Sequence, residues 1–449
     1  MTAETIISEF LCDDDLATPR GLMANPRTVV EATYNAPALT RWAGYPCIET
    51  LPPLISRETL LERLQDVPEY SHDMRTQLAE ERSHMVMDLL HFFQPLSIHV
   101  KLAGMVSRAI HDGYIGRNPL DPRQLKSLRA RIEYFKKHPY TLHYDFNAAS
   151  GFFVCGMSGV GKSTTLRRIL DFYPQIILHK EYKNERFTKA QIVHVTLECP
   201  KDGSTKGLCV DFFKTVDFIL GGGTDYPTKL GKEERATNQL MESMATIAAT
   251  HQIGLIVIDE IQYLNVAKSG GAEEFLNFFV RLVNIIGVPV ILVGTYDAFE
   301  VVSSTFRHAR RCSGQGDLIW EPLALDHDDW TIYTEELWGY QYLAGVSPLT
   351  EELSKALHEV SFGIVDIANR IYLAAQVKAI ETGEEVITEG MLRSAYRDDF
   401  WLISRIIECL ESGDPALLER FRDVVIKPAL PVQARKIRSR SADTKRAAA

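Results

Sequence analysis

The residues whose types and spacing most clearly predict chemistry form a glycine-rich run that ends in a lysine and a serine. Gly156-Met157-Ser158-Gly159-Val160-Gly161-Lys162-Ser163 matches G-x-x-x-x-G-K-[ST] and lies between an apolar run and a helical pattern. Glycines let successive backbone N–H groups turn toward phosphate oxygens, and the following helix adds the positive end of its dipole. We therefore expect Lys162 to reach the β- and γ-phosphates, Ser163 to coordinate Mg²⁺, and Thr164 to join the nucleotide-binding residues.

Two carboxylates follow a second apolar run. Leu255-Ile256-Val257-Ile258 reads as a buried strand, and Asp259 and Glu260 come directly after it. At a strand end beside the phosphate loop, Asp259 would hold the metal and Glu260 would activate water as a general base. Another strand is predicted at 191–198, between the two motifs. This order, with the base next to the aspartate, favours hydrolysis over phosphoryl transfer to a small molecule.

Two further positions are candidates for the same chemistry. The predicted strand at 288–293 leads to Thr295 at the carboxyl edge of the sheet, where it could sense the γ-phosphate or only cap the chain. A loop at 307–311 carries three arginines, one of which could stabilise the transition-state charge. A solvated basic loop is the alternative, and the sequence does not choose among Arg307, Arg310 and Arg311.

The elements that must position these residues alternate between strand and helix. Helices are predicted at 163–172, 207–220, 233–250 and 273–286, with strands at 152–155, 191–198, 254–258 and 288–293. This rhythm indicates an α/β fold with a parallel sheet covered by helices. Past about 326 the strand candidates stop, and helical patterns follow at 329–343, 350–360, 363–381, 388–396 and 398–412.

We accordingly divide the chain into four parts. The first is an N-terminal extension at 1–125, which we expect to bind a partner and to contain helices at 56–65 and near 73–93. It is followed by an α/β nucleotide-binding domain at 126–325 that opens on a basic helix, a small all-helical lid at 326–412, and a C-terminal segment at 413–449. From Lys427 onward the tail has seven basic residues and one acid, and we expect it to be disordered and cationic.

Composition narrows the class of protein. The 449 residues carry a net charge of −10, so any contact with nucleic acid must come from a local patch. The seven cysteines contain no C-x-x-C pair, which argues against a zinc site or a disulfide framework. No signal peptide and no membrane-spanning stretch is recognised, and we expect a cytoplasmic protein without a membrane partner.

The motifs together resemble the AAA+ ATPases, and more narrowly the TnsC/TniB family of transposon-encoded regulators. The superfamily resemblance rests on GMSGVGKS, LIVIDEIQYL, VILVGT and the arginine loop, followed by a helical lid. The narrower resemblance rests on RWAGYPCIETLPP at 41–53, VTLECPKDGS at 195–204 and DEIQ at 259–262. It covers residues of about 40–400 and implies a P-loop AAA+ sheet with a small lid.

The resemblance implies an ATP-dependent regulator of DNA transposition that needs ATP and Mg²⁺. Such proteins oligomerise as rings or helical filaments on double-stranded DNA, without sequence preference. They link a target selector of the TniQ/TnsD type to a transposase of the TnsB type, and an endonuclease of the TnsA type is a further possible partner. Glu260 would then be the catalytic base, Thr295 the first sensor, and one of the 307–311 arginines the finger.

Three further assignments follow from the resemblance. Arg370 falls where the lid of such ATPases carries a second sensor, although the common Gly-x-x-Arg spacing places Asp366 there instead. Lys201 and Lys206 lie in a Gly/Ser-rich loop from which AAA+ proteins often reach DNA. A surface arginine and a solvated loop are the alternatives.

Two other functions stay open at this stage. One is a scaffold in which ATP holds an assembly together and turnover is incidental. The other is a helicase-loader-like adaptor that contacts a second ATPase. Whether an assembly closes into a ring or continues as a helix depends on the rotation between subunits, which the sequence does not contain.

Overall fold

The computed structural model of the chain describes residues 29–137, 151–231, 236–266, 283, 287–298, 314–401, 403–405 and 407. Several sequence predictions concern residues outside this set. They are most of the expected helix at 273–286, the end of the expected helix at 398–412 from 408 onward, the three arginines Arg307, Arg310 and Arg311, and the basic tail from Lys427.

The strands of the described residues, numbered along the chain, are β1 Val29–Glu31, β2 Phe152–Gly156, β3 Ile176–Tyr182, β4 Glu185–Ile192, β5 His194–Glu198, β6 Leu255–Asp259, β7 Val290–Gly294 and β8 Leu318–Trp320. The α-helices are α1 Pro46–Glu49, α2 Arg57–Leu64, α3 Ala79–Met85, α4 Ser97–Tyr114, α5 Pro122–Lys137, α6 Lys162–Leu170, α7 Thr205–Ile219, α8 Tyr226–Leu230, α9 Thr237–Thr250, α10 Asp328–Trp338, α11 Glu351–Ser361, α12 Val365–Thr382 and α13 Glu389–Asp398. Short 3₁₀ helices lie at Thr40–Trp42, His72–Thr76, Val86–His91 and Ile261–Val266.

Five parallel strands form the central sheet, in the order β5-β6-β7-β2-β8. The side chains of β2 and β7 are buried along their whole length, which explains why these strands read as unbroken apolar runs rather than as alternating patterns. Because the strands are parallel, their carboxyl ends meet at one edge. The predicted α/β fold, a parallel sheet flanked by helices and followed by a helical region, is confirmed.

A second, three-stranded sheet has the order β1-β3-β4 and was not predicted. The single strand expected at 191–198 is two strands, because the chain leaves the small sheet after Ile192 and enters the central one at His194. Val193 between them donates its N–H to the Gln175 carbonyl at 3.0 Å. β3 and β4 are joined through Lys183 and Asn184, whose φ values of 52° and 65° fit a two-residue hairpin turn.

The segment before the central sheet contributes to the main core. α2 spans 57–64, where a helix was predicted at 56–65, but the long helix expected near 73–93 is three short ones. α4 was not predicted at all. Its Leu102, Val106 and Ile110, spaced by four residues, lie on one helix face and are fully buried in the same core as β2, β6 and β7.

The helices α10 to α13 form the lid, which has its own hydrophobic core. Hydroxyl side chains cap two of them, since Thr350 accepts from the Leu353 N–H and Thr388 from the Met391 N–H, each at 3.2 Å. Val86 and Leu89, from before α4, are buried in this lid core as well. Both hydrophobic cores therefore contain residues from the N-terminal part of the chain.

A partly buried ion pair joins that N-terminal part to the lid. The guanidinium of Arg82 donates to both carboxylate oxygens of Glu385, at 2.6 and 2.7 Å. It also donates to the Tyr342 carbonyl at 3.0 Å. A two-point pair of this kind fixes the relative orientation of its two groups as well as their distance.

No helix among the described residues is long and apolar enough to cross a membrane.

Candidate functional site

The phosphate loop lies between β2 and α6, as the sequence predicted. Gly159 and Gly161 adopt φ values of 84° and 95°, which side chains rarely tolerate, and Gly161 is the N-cap of α6. Gly156 is required for a different reason, because a Cβ there would lie 2.4 Å from the Trp320 carbonyl oxygen of the neighbouring strand. The glycines thus allow both the turn of the loop and its tight fit against β8.

Lys162 is the first residue of α6, and its side chain is buried against its own loop. Its Nζ donates to the carbonyls of Gly156 at 2.9 Å and Met157 at 2.7 Å. Burial lowers the pKa of this ammonium, while the nearby carboxylate of Asp259 acts in the opposite direction. A cation held in this way is positioned to meet a phosphate without a large rearrangement.

Asp259 and Ser163 meet at the edge of the sheet. The Ser163 hydroxyl donates to one carboxylate oxygen of Asp259 at 2.5 Å, and the Glu260 N–H donates to the other at 2.8 Å. A hydroxyl and a carboxylate are oxygen ligands of the kind that Mg²⁺ takes, usually together with substrate phosphates and water. No cluster of three or more His, Cys, Asp or Glu side chains in the described part of the chain forms a metal site by itself.

Glu260 has a left-handed backbone conformation, with φ at 59°, and a half-buried side chain. Burial raises the pKa of its carboxyl group, and the neighbouring Asp259 adds to this effect. The hydrogen bond from Gln262 Nε2 to the Glu260 carboxylate lowers the pKa again. A carboxylate with a raised pKa is a stronger proton acceptor, as a general base requires.

Gln262 was not predicted as a site residue, yet it joins two that were. Its amide nitrogen donates to Glu260, and its amide oxygen accepts from the Thr295 N–H at 3.2 Å. The Thr295 hydroxyl is buried and has no hydrogen-bond partner among the described residues. A buried hydroxyl without a partner costs free energy, so a phosphate oxygen or a water molecule at this position would stabilise it.

These side chains line a cavity of about 280 Å³ at the carboxyl edge of the sheet. It contains the predicted residues Ser158, Gly159, Gly161, Lys162, Ser163, Thr164, Asp259, Glu260 and Thr295, together with Gln262, Gly294 and Asp366. Gly156, Met157 and Val160 belong to the loop but do not line the cavity, and the latter two are buried beneath it. Cationic, hydroxyl and carboxylate groups at one place fit a nucleotide phosphate chain with a divalent cation.

The lid reaches this cavity through Asp366, near the start of α12. Arg370, the candidate second sensor, does not line the cavity. It lies one turn further along α12, and its Nε donates to the Asp366 carboxylate at 2.9 Å. In the sequence Asp366 is a departure from a common spacing, and the packing of the lid brings it to the cavity.

Lys201 and Lys206 lie beside the site rather than in it. Their loop follows β5, whose last residue, Glu198, pairs in register with Asp259. Lys201 is exposed, whereas Lys206 is half-buried in the first turn of α7. The loop therefore leaves the sheet at the same edge as the phosphate loop.

Comparisons with known proteins bear on the central part of the chain. Residues 147–302 match the family model of the AAA domain, and no curated protein matches the chain. This part of the chain has the P-loop AAA+ fold and is similar to AAA domains.

Three solved structures are similar to this chain at low identity. For Orc1 of Aeropyrum pernix in complex with DNA, identity is 16%, coverage is 62% of this chain and 66% of that chain, and the TM-score is 0.35. For Cdc6p of Pyrobaculum aerophilum, identity is 15%, coverage is 62% of this chain and 66% of that chain, and the TM-score is 0.37. For Drosophila ORC bound to DNA, identity is 12%, coverage is 84% of this chain and 74% of that chain, and the TM-score is 0.38. This chain thus spans 66% of the length of the Aeropyrum and Pyrobaculum chains.

Proposed function

We propose that this chain is an ATP-hydrolysing switch that assembles on double-stranded DNA and links a target selector to a transposase. The observation that carries the hydrolytic part is the group formed by Asp259, Glu260, Gln262 and Thr295 around one cavity. The DNA and transposition parts rest on the resemblance of the sequence to TnsC/TniB regulators.

In this proposal the phosphate loop and Lys162 bind the β- and γ-phosphates of ATP. Ser163 and Asp259 hold Mg²⁺, which when bound neutralises phosphate charge. Glu260 accepts a proton from the attacking water, and Thr295 orients that water or the γ-phosphate. The proton moves from the water to a Glu260 carboxylate oxygen, so the raised pKa of this group favours the transfer.

The finger for this reaction would be one of Arg307, Arg310 and Arg311, supplied by a neighbouring subunit. An arginine of this kind is worth about 10³–10⁵ in rate where it has been measured. A head-to-tail assembly would bring the loop of one subunit to the nucleotide of the next, and so would couple turnover to assembly.

The proposed DNA contacts come from Lys201 and Lys206, with a further contribution from the basic tail after Lys427. A chain of net charge −10 does not bind a polyanion by overall attraction. An assembly, however, presents the same lysines repeatedly along the phosphate backbone, and many weak contacts then act together. The selector of the TniQ/TnsD type, the transposase of the TnsB type, the TnsA-type endonuclease and a cytoplasmic location belong to this proposal through the resemblance alone.

The test separates a hydrolytic switch from a scaffold that uses ATP structurally. Glu260→Gln should keep ATP binding and assembly but lower hydrolysis by at least about 100-fold, trapping the assembled state. Electron microscopy with ATP, Mg²⁺ and duplex DNA should then give ordered rings or filaments in the wild type and in Glu260→Gln, and none in Lys162→Ala. Release of the assembled protein that is unchanged in Glu260→Gln would instead support the scaffold.

A further inference from the structure

Among the described residues that line the cavity, carboxylates outnumber cationic side chains. The cationic residue is Lys162. The carboxylates are those of Asp259, Glu260 and Asp366. The first two belong to the phosphate-binding domain, but Asp366 belongs to α12 of the lid. A fully ionised triphosphate would enter this cavity against repulsion from all three.

Arg370 offsets the charge of Asp366 only in part, because it does not reach the cavity. It is bound to Asp366 at 2.9 Å from the next helical turn, does not line the cavity itself, and both side chains are about half exposed, 48% each. Holding the guanidinium on the carboxylate keeps it turned toward α12 rather than toward the phosphates. An i, i+4 pair at this exposure adds little to the stability of the helix.

We propose that Asp366 makes this site bind its nucleotide only together with a divalent cation. This rests on the proposed function, since it assumes that the cavity takes a nucleoside triphosphate. A divalent cation cancels two of the phosphate charges and adds attraction to Asp259, so that the lid carboxylate can approach the complex. Without the cation, Asp366 repels the phosphate chain and holds the lid away from it.

A surface ion pair without any effect on the ligand is the competing explanation. It predicts that removing either partner has the same small effect on folding and none on binding. Our proposal predicts opposite effects on metal-free binding, because Asp366→Asn removes repulsion whereas Arg370→Gln removes the cation that partly offsets it.

The experiment is a titration with a fluorescent, non-hydrolysable ATP analogue, with saturating Mg²⁺ or with EDTA, which reads binding and not turnover. The quantity is the ratio of the Kd in EDTA to the Kd in Mg²⁺. We expect Asp366→Asn to lower this ratio about tenfold relative to wild type, mainly by tighter binding in EDTA. Arg370→Gln should raise the ratio.

The matched control is Glu389→Gln, which removes one carboxylate from an exposed i, i+4 pair with Arg393 on another lid helix. Its ratio should equal that of wild type. Asp366→Ser, a smaller side chain, should repeat the effect of Asp366→Asn if charge is the cause.

The outcomes are distinguishable. An unchanged ratio in Asp366→Asn and Asp366→Ser, with both variants folded by circular dichroism, overturns this inference. Equal wild-type affinity in Mg²⁺ and EDTA overturns it as well, but leaves a nucleotide site in place. A wild-type protein that binds the analogue in neither condition contradicts the proposed function itself.

Discussion

Gln262 connects the two groups that would act on the attacking water. It donates to the Glu260 carboxylate and accepts from the Thr295 backbone N–H at 3.2 Å. Its neighbour across the cavity wall is Gly294, where an added Cβ would lie 3.0 Å from the Gln262 amide oxygen. The Gln262 amide thus lies between the end of β7 and the Glu260 side chain. Its hydrogen bond to the carboxylate orients Glu260.

Gln262→Ala should lower turnover about tenfold while ATP affinity stays within about twofold, because the base loses its orientation but the phosphate loop is untouched. The hydrogen bond from Gln262 lowers the pKa of Glu260, so its loss raises that pKa. Glu260 then becomes protonated at a higher pH. The measurement is kcat against pH, in which the acidic limb should move to higher pH in the variant.

The control for this change is Gln65→Ala, which removes an exposed glutamine that donates to Gln94 at 3.0 Å on the surface. It should leave both the rate and the pH profile unchanged. A Gln262→Ala profile that superimposes on wild type would contradict a positioning role for this amide.

The sequence predicted most of the residues that line the cavity, because a motif specifies their spacing and strand ends meet at one edge. It did not predict Gln262, whose direction depends on the left-handed conformation of Glu260, with φ at 59°. Nor did it assign Asp366 to the site, since that placement depends on how the lid docks. Residues within one loop follow from local pattern, whereas those brought in by packing do not.

At the scale of elements, α4 illustrates what local pattern does not contain. Its sequence includes Gly104 and Gly113, which weaken a helical pattern, and so it was not predicted. The structure gives a packing reason for one of them. A Cβ at Gly113 would lie 2.6 Å from Pro289 Cδ and 3.1 Å from the Gly254 carbonyl, so the helix can approach the start of the sheet only with glycine there.

Gly113→Ala should therefore destabilise the protein by about 1–3 kcal/mol through overpacking, despite the better helix propensity of alanine. Gly104→Ala is a matched control in the same helix, where an added Cβ would meet only the end of the flexible Arg108 side chain, at 3.3 Å. It should be neutral or stabilise by up to about 1 kcal/mol. Urea unfolding measures both, and equal effects at the two positions would contradict the packing argument.

The error at 191–198 has the same origin as the omission of α4. Residues 191–198 form one continuous apolar-rich run, and nothing in its composition marks the change of sheet at Val193. The change follows from a distant partner, since the Ile192 N–H donates to the His251 carbonyl at 2.9 Å and the Val193 N–H to the Gln175 carbonyl at 3.0 Å. Strand runs were thus predictable, but their division between two sheets was not.

At the scale of the whole molecule, assembly reconciles the unfavourable net charge with the proposed DNA binding. A monomer of net charge −10 gains little binding free energy from a single exposed lysine that contacts DNA. A polymer held by ATP repeats that lysine at every subunit. DNA binding should then need ATP, and its salt dependence should report the number of phosphate contacts each subunit makes.

Lys201→Ala tests this, because Lys201 is exposed in the loop at the carboxyl edge of the sheet. Each phosphate contact contributes about −0.9 to the slope of log K against log salt concentration. The slope for the variant should therefore be less negative by about 0.9 per subunit. Lys180→Ala is the control, since Lys180 is also exposed but lies on β3 and is paired with Glu31. Fluorescence anisotropy of a labelled duplex, with the ATP analogue and increasing salt, measures all three proteins. Equal slopes for wild type and Lys201→Ala would place the DNA contact elsewhere, whereas a change that appears only with the analogue ties the contact to the assembled state.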